Sequence, residues 1–175
     1  MRACNTTIAC ALFALATTAA ADTTTTTTTG TAKKGKVGKQ PVMMSPDQIQ
    51  WGDAPPDLPK GAKMAVLSGD PTKKGMFTVR VKFPDGYKIA PHWHTNDEEL
   101  TIITGTALFR IGDSMTSEPH TLTAGAFHAL PGKTHHSAEA KGETIVQIHS
   151  TGPFDIHYIN PEDNPNPKKP KTATR

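Results

Sequence analysis

The 175-residue chain has 19 Lys and Arg against 16 Asp and Glu, a formal net charge of +3, and only 6% of its residues are aromatic. This length fits one domain with appendages. The positive charge comes from the ends, because residues 41–165 hold 10 Lys and Arg against 15 Asp and Glu. A nucleic-acid surface is therefore not expected on the acidic central part.

Residues 1–21 are predicted to be a secretory signal peptide. Arg2 gives a basic start, an apolar run follows over residues 8–20, and small residues precede a cleavage site between Ala21 and Asp22. The apolar run is shorter than the roughly 20 residues of a bilayer-spanning helix, so no transmembrane segment is expected after cleavage. Both cysteines, Cys4 and Cys10, lie in the signal, so the mature chain would have no disulfide. We expect a periplasmic or secreted protein.

Two low-complexity segments flank the expected domain. Residues 22–40 are rich in Thr and Lys, and residues 161–175 are rich in Pro and Lys. Neither segment has an apolar period, so both are predicted to be disordered, one as a linker and one as a tail. Residues 41–160 are predicted to form the single folded domain. At its start, Ser45 can cap one short helical turn that the following prolines end.

The central region is predicted to be all-β. Its runs of β-branched and aromatic residues are short and are separated by turn-forming sequences. The runs cover residues 63–70, 76–83, 100–104, 106–111, 126–130 and 143–149. In the second run Val79, Val81 and Phe83 alternate with polar residues, which indicates one buried face. Many short strands without a long helical period predict a sandwich or barrel.

The segment "PHWHTNDEELTIITG", residues 91–105, gathers residues that can bind a metal. Residues two apart in an extended chain point to the same side, so His92 and His94 can present their imidazoles to one point. Of the two adjacent glutamates, Glu98 is the better candidate, because turning it inward also buries Leu100 and Ile102. Two imidazoles and a carboxylate suit Fe(II), Mn(II), Ni(II), Cu(II) or Zn(II).

A further ligand is expected from a distant strand. His135 and His136 both follow the turn after residues 126–130, and either could reach across a barrel. His128, within that run, could face either side.

The spacing of these residues resembles the first cupin motif, G-x5-H-x-H-x3or4-E-x6-G. Every position matches, at Gly86, His92, His94, Glu98 and Gly105. The second cupin motif, G-x5-P-x-G-x2-H-x3-N, matches in part. Its matching residues are Gly125, Pro131 and His136, whereas Lys133 replaces the second glycine, with Gly132 one place early, and Ala140 replaces the asparagine. The spacing favours His136 over His135 as the motif histidine.

The resemblance to cupins implies a double-stranded β-helix, or jelly-roll, barrel. It also implies one divalent transition metal, held by His92, His94, Glu98 and His136. Iron or manganese is favoured, with zinc, nickel and copper as alternatives. A homodimer is expected from the resemblance alone.

Two polar residues near the end of the domain are candidate catalytic residues. Gln147 and His149 share one face of the run at residues 143–149. If that face lines the barrel, His149 is placed for acid–base chemistry or for a hydrogen bond to substrate. If Val146 and Ile148 face inward instead, Gln147 and His149 lie on the surface. We expect the first arrangement, because cupin barrels keep some polar groups inside.

The predicted function is metal-dependent chemistry on a small organic molecule. Dioxygenase-type oxidation is the first choice, because Fe(II) and Mn(II) can bind a substrate and activate dioxygen. Isomerase- or lyase-type chemistry comes second. The alternative from another class is a binding or sensor module without catalysis. A catalyst needs a pocket with a proton-handling group, for which His149 is the candidate.

Overall fold

The computed structural model of the chain describes residues 41–167. The predicted signal peptide at 1–21, the predicted linker at 22–40 and residues 168–175 of the predicted tail lie outside this range. The described strands are β1 (Gly52–Asp53), β2 (Lys63–Ser68), β3 (Gly75–Phe83), β4 (Lys88–Trp93), β5 (Glu98–Ile111), β6 (His120–Thr123), β7 (Phe127–Leu130), β8 (His136–Gly152) and β9 (His157–Tyr158). Two 3-10 turns cover Pro46–Gln48 and Pro161–Asp163. Within residues 41–167, no helix is long and apolar enough to cross a membrane.

Strand β3 supplies one wall of the core. Its buried residues alternate with partly exposed ones, as the period-two pattern predicts. The buried set is Phe77, Val79, Val81 and Phe83. This wall packs against Ile102 of β5 and against Val146 and Ile148 of β8 in one continuous hydrophobic cluster.

The two long strands, β5 and β8, pair with each other, and β8 also joins β3 and β4 into the same sheet. The first half of β8 lies between β4 and β5, and its second half lies between β3 and β5. All pairs are antiparallel, and strands that follow each other in sequence are often not neighbours. This wrapped antiparallel arrangement is a double-stranded β-helix, so the all-β prediction is confirmed.

The two predicted strands at residues 100–104 and 106–111 form one continuous strand, β5, which corrects the prediction of a break at Gly105. Gly105 has a φ of +81°, and the register shifts beside it without ending the ladder. A β-carbon there would lie 2.4 Å from the carbonyl oxygen of Glu143. The glycine that suggests a turn in the sequence therefore permits a bend between two closely approaching strands.

Side-chain hydrogen bonds hold both ends of the described chain, one within a local turn and one to the domain. Ser45 donates its backbone N–H to Oε1 of Gln48 at 2.9 Å, and the predicted short turn is present. In the segment predicted as a tail, residues 161–167 are described. Asn166 donates from its side-chain amide to Oδ1 of Asp57 at 3.1 Å, which joins this segment to the domain.

Candidate metal centre

Three histidine rings meet inside the barrel. His92 lies in β4, and His94 lies two residues further on, just past the end of that strand. His136 begins β8 and is the register partner of His92. The exposed fractions of the three residues are 3%, 7% and 3% in chain order. One ring nitrogen from each lies within 4.8 Å of the others.

Each of these rings is oriented by the main chain. The Nδ1 atom of each ring lies within hydrogen-bond distance of a backbone carbonyl oxygen, which can only accept, so Nδ1 must carry the proton. The acceptors are Ala90 at 2.7 Å from His92, Asp155 at 2.5 Å from His94, and Thr134 at 2.9 Å from His136. The Nε2 atoms of rings with a single proton are therefore left with free lone pairs.

Glu98 lies beside these rings at the start of β5. It is 5% exposed, its Oε1 is 3.7 Å from Nε2 of His94, and its Oε2 is 3.6 Å from Nε2 of His136. Glu99 points to solvent, and Ile102 is buried. The alternation predicted for this strand is therefore present, with Glu98 as the inward glutamate.

The protonation of this cluster fits a cation. Burial lowers the pKa of His92 to about 3, assisted by the neighbouring rings of His136 and His94, and burial also lowers the pKa of His136. Burial opposes ionisation of Glu98, but the hydrogen bond from His128 and the nearby His94 ring outweigh it and lower its pKa to about 2. The contacts of Glu98 with His94 and His136 are too long for hydrogen bonds. Three ring nitrogens and a carboxylate thus face one another without a hydrogen bond between His94 or His136 and Glu98, which is a donor set that suits a divalent transition metal.

The second motif places His136 inside and His135 outside. His135 is partly exposed, and its Nδ1 lies 2.5 Å from Oδ1 of Asp113 on the surface. Lys133, which stands where the cupin motif has glycine, has a φ of +68°. The left-handed conformation that a glycine would adopt easily is therefore kept at this position, and the histidine three residues later enters the barrel.

The prediction that Gln147 and His149 point into the barrel is wrong. Val146 and Ile148 face the core, with exposed fractions of 2% and 8%. The two polar residues lie on the outer face of β8, where they pair with the polar face of β3. Their contacts are Thr78 Oγ1 with His149 Nδ1 at 3.0 Å, and Arg80 Nε with Gln147 Oε1 at 2.9 Å. Burial of the two aliphatic side chains determines which face turns inward.

Comparison with known protein families shows the family of this chain. A family model described as "Domain of unknown function (DUF4437)" matches residues 36–157. The chain belongs to this family. No curated protein matches it.

Solved structures show the fold of this DUF4437 chain. One is described as a candidate acetylacetone dioxygenase from Methylibium petroleiphilum PM1, with 20% identity, a TM-score of 0.55, and coverage of 77% of this chain and 90% of that chain. The second is KdgF from Halomonas sp., with 20% identity, a TM-score of 0.51, and coverage of 65% and 96%. The third is the polyketide cyclase RemF from Streptomyces resistomycificus, with 11% identity, a TM-score of 0.55, and coverage of 69% and 87%. At these identities the likeness concerns the fold alone, and the predicted cupin barrel is confirmed.

His128 is a site residue of the DUF4437 chain that the sequence left undecided. Its Nε2 lies 3.3 Å from Oε2 of Glu98, and its ring packs against Phe109 at a centroid distance of 4.4 Å. Its Nδ1 is buried without a hydrogen-bond partner among residues 41–167. Strand β7 has only four residues, with apolar side chains on both faces. Its sequence pattern therefore does not predict which face of β7 turns into the barrel.

The loop between β8 and β9 also contacts the site, and no pattern in the sequence predicts this. The ring of Phe154 stacks on the ring of His94, with centroids 4.4 Å apart and an interplanar angle of 20°. The carboxylate of Asp155 accepts from the backbone N–H of Thr95 at 2.8 Å and from its hydroxyl at 2.6 Å. The loop contacts His94 through the backbone carbonyl of Asp155. Every residue has such a carbonyl, so the sequence alone does not predict this contact.

A cavity of about 300 Å³ opens beside His92, His94 and Glu98. Most of its walls are apolar. The apolar lining residues are Pro55, Leu58, Met64, Pro71, Phe77, Val79, Val81, Phe83, Ile89, Ile148, Phe154 and Ile156. A mainly apolar cavity with a few convergent polar groups is typical of a small-molecule site.

Proposed function

We propose that this DUF4437 protein binds one divalent transition metal and uses it to act on a small organic molecule held in the barrel cavity. The proposed ligands are His92, His94 and His136, with Glu98 as the fourth. The observation that carries the proposal is the convergence of three buried, carbonyl-oriented rings and the buried carboxyl group of Glu98 beside an apolar cavity.

The donor set suits iron, manganese, zinc, nickel or copper, and the resemblance to cupins supports iron or manganese as the first choice. Such a metal would supply Lewis-acid polarisation of an oxygen donor and, for iron or manganese, activation of dioxygen. We place dioxygenase-type oxidation first and isomerase- or lyase-type chemistry second. A candidate dioxygenase and a polyketide cyclase both share the fold, so the fold alone does not choose between these classes.

The residues of the chain have separate tasks in this proposal. The carbonyl groups at Ala90, Asp155 and Thr134 keep the Nδ1 protons in place, so that the Nε2 lone pairs stay aimed at one point. His128 donates from Nε2 to Oε2 of Glu98, which fixes the carboxylate. The apolar walls exclude water from the space where the organic molecule lies, which strengthens electrostatic interactions there.

A specific observation supports the alternative, a binding or sensor module without catalysis. With His149 on the outer face, no histidine other than His92 and His94 lines the cavity among the described residues. A catalyst that moves protons would therefore have to use its ligand residues, the carboxyl group of Asp57 or Asp155, or water. Consumption of dioxygen by the iron- or manganese-loaded protein with a bound organic molecule would distinguish the enzyme from the binding module.

Export and self-association are also proposed. The signal-peptide pattern supports a periplasmic or secreted protein, and mass spectrometry of the mature chain should give Asp22 as its first residue. The resemblance to cupins supports a homodimer, which light scattering after size exclusion would measure.

Elemental analysis of the protein, purified without a histidine tag, tests the metal centre. The wild type should hold close to one metal per chain, and a His94→Ala variant should lose it. His120→Ala is the matched control, because His120 is exposed in β6, outside the cluster. Absence of metal from the wild type after reconstitution with iron, manganese and zinc would overturn the proposal.

A further inference from the structure

The cavity beside the histidine cluster contains a charge pattern that bears on the kind of molecule it accepts. Its long wall is formed by strand β3, in which every second residue faces inward. The intervening residues include two basic side chains, Arg80 and Lys82, and the same alternation turns both of them to the outer face. Arg80 donates to Gln147 there, and the Lys82 ammonium lies 4.8 Å from the centre of the Trp51 ring.

Among the described residues, no lysine or arginine lines this cavity. Outside the cluster, its polar lining residues are Asp57, Thr72 and Asp155. Two of these three carry carboxyl groups, and the carboxyl group of Asp155 accepts two hydrogen bonds from Thr95. A carboxylate or phosphate on the apolar body of a ligand would lose its hydration and find no positive side chain in return.

The shape of the cavity limits the size of the ligand. At about 300 Å³ it lies at the lower end of the range for small-molecule sites. Phe77 and Phe154 make an edge-to-face pair in its wall, with ring centroids 5.3 Å apart. An apolar, ring-sized body fits between these walls, and the cluster of His92, His94 and Glu98 is the place for oxygen donors.

We propose that this protein selects neutral ligands with an apolar, ring-sized body and oxygen donors at one end, and rejects ligands whose body carries a carboxylate or phosphate. The inference rests on the proposed metal centre for the oxygen donors. The selection itself comes from the walls of the cavity, so it can be measured with and without metal.

A matched pair of probes tests the selection. 4-Methylcatechol and protocatechuate share a ring and two adjacent hydroxyl groups, and differ in a methyl group against a carboxylate. Isothermal titration of the zinc-loaded full chain, in which zinc prevents redox turnover, should show 4-methylcatechol binding at least about tenfold more tightly, because the carboxylate would be buried without a partner. The same order should hold in the metal-free chain at higher probe concentrations.

Two arginine variants separate the effect of the cavity from a general effect of charge. Leu58→Arg places a cation at a lining residue and should reduce the preference for 4-methylcatechol several-fold. Val66→Arg adds the same charge at a side chain that is 46% exposed and outside the lining, and should leave the preference unchanged.

The outcomes distinguish this inference from the proposed function. If the wild type takes up no metal, the proposed function fails, and the titration of the metal-free chain still decides the selection. Equal or tighter binding of protocatechuate in either state, or no binding of 4-methylcatechol in both states, overturns the inference.

Discussion

The backbone N–H of Lys133 donates a 2.8 Å hydrogen bond to the carbonyl oxygen of His94. This bond joins the turn before β8 to the end of β4, so the two halves of the histidine cluster are tied through the main chain. Lys133 makes it in a left-handed conformation, with a φ of +68°. Beside it, a β-carbon at Gly132 would lie 2.5 Å from the carbonyl oxygen of Thr95. Gly132 is therefore needed because a larger residue would overlap with Thr95, just past the end of β4. Lys133, in contrast, adopts a backbone conformation that glycine would adopt more easily.

Substitutions in this turn should have opposite effects on stability. Lys133→Gly should raise the free energy of unfolding by about 0.5–1 kcal/mol. It removes the cost of a left-handed non-glycine residue, roughly 1–2 kcal/mol. Part of this gain is offset, because glycine has more conformational freedom in the unfolded chain. Gly132→Ala should lower the free energy of unfolding by about 1–3 kcal/mol through steric overlap with the strand end. Urea denaturation measures both. A loss of stability in Lys133→Gly would show that the lysine side chain contributes more than its backbone strain.

The adjacent histidines should differ sharply in their effect on metal binding. His136→Ala should weaken metal affinity by more than about 100-fold, since it removes a buried ring nitrogen from the cluster. Loss of a residue that only orients a ligand can already weaken affinity by up to about 100-fold. His135→Ala should leave the affinity unchanged, because that ring is partly exposed, lies outside the cluster and faces Asp113. Competition with a chromogenic chelator gives both affinities. The reverse order would assign the ligand to His135.

The alternation of apolar residues and the spacing of the motif residues predict most of the fold and of the proposed ligand set. The apolar sequence of β3 has period two, so its buried face could be read directly, and the same rule distinguished Glu98 from Glu99. The rule worked where one face of a strand is clearly more apolar than the other. It depends on the free energy of burying aliphatic side chains, which dominates the choice of face.

Where the sequence reasoning failed, a competing physical effect explains the failure. The resemblance to cupins, whose barrels keep some polar groups inside, predicts Gln147 and His149 in the barrel, although their neighbours Val146 and Ile148 gain more from burial. The carbonyl groups that orient the rings could not be predicted, because every residue has one. The role of His128 depends on the pairing of β7 with β5, which is a long-range contact that local pattern does not encode.

His128 should act as a positioning residue for Glu98. His128→Leu should weaken metal affinity by about 10–100-fold, because the carboxylate loses the donor that fixes it. His128→Gln should recover most of the affinity, since a glutamine amide can place a donor near the same oxygen. The visible spectrum of the cobalt-loaded protein should shift in the leucine variant and return in the glutamine variant.

A purely structural role of His128 gives a different result. In that case both variants would lose stability in urea denaturation, because each disturbs the packing against Phe109, and the cobalt spectrum of the folded fraction would match the wild type. That outcome would remove His128 from the site.

The loop that carries Asp155 should support His94 from outside the cluster. Asp155→Ala removes the acceptor for two hydrogen bonds from Thr95, so the backbone carbonyl that faces His94 Nδ1 loses its anchor. We expect metal affinity to fall by roughly tenfold, as for other residues that orient a ligand, while most of the stability remains. Asp113→Ala is the control, because Asp113 pairs with His135 on the surface. Chelator competition measures both variants, and equal affinities in the two would show that the loop holds its carbonyl in place without the aspartate.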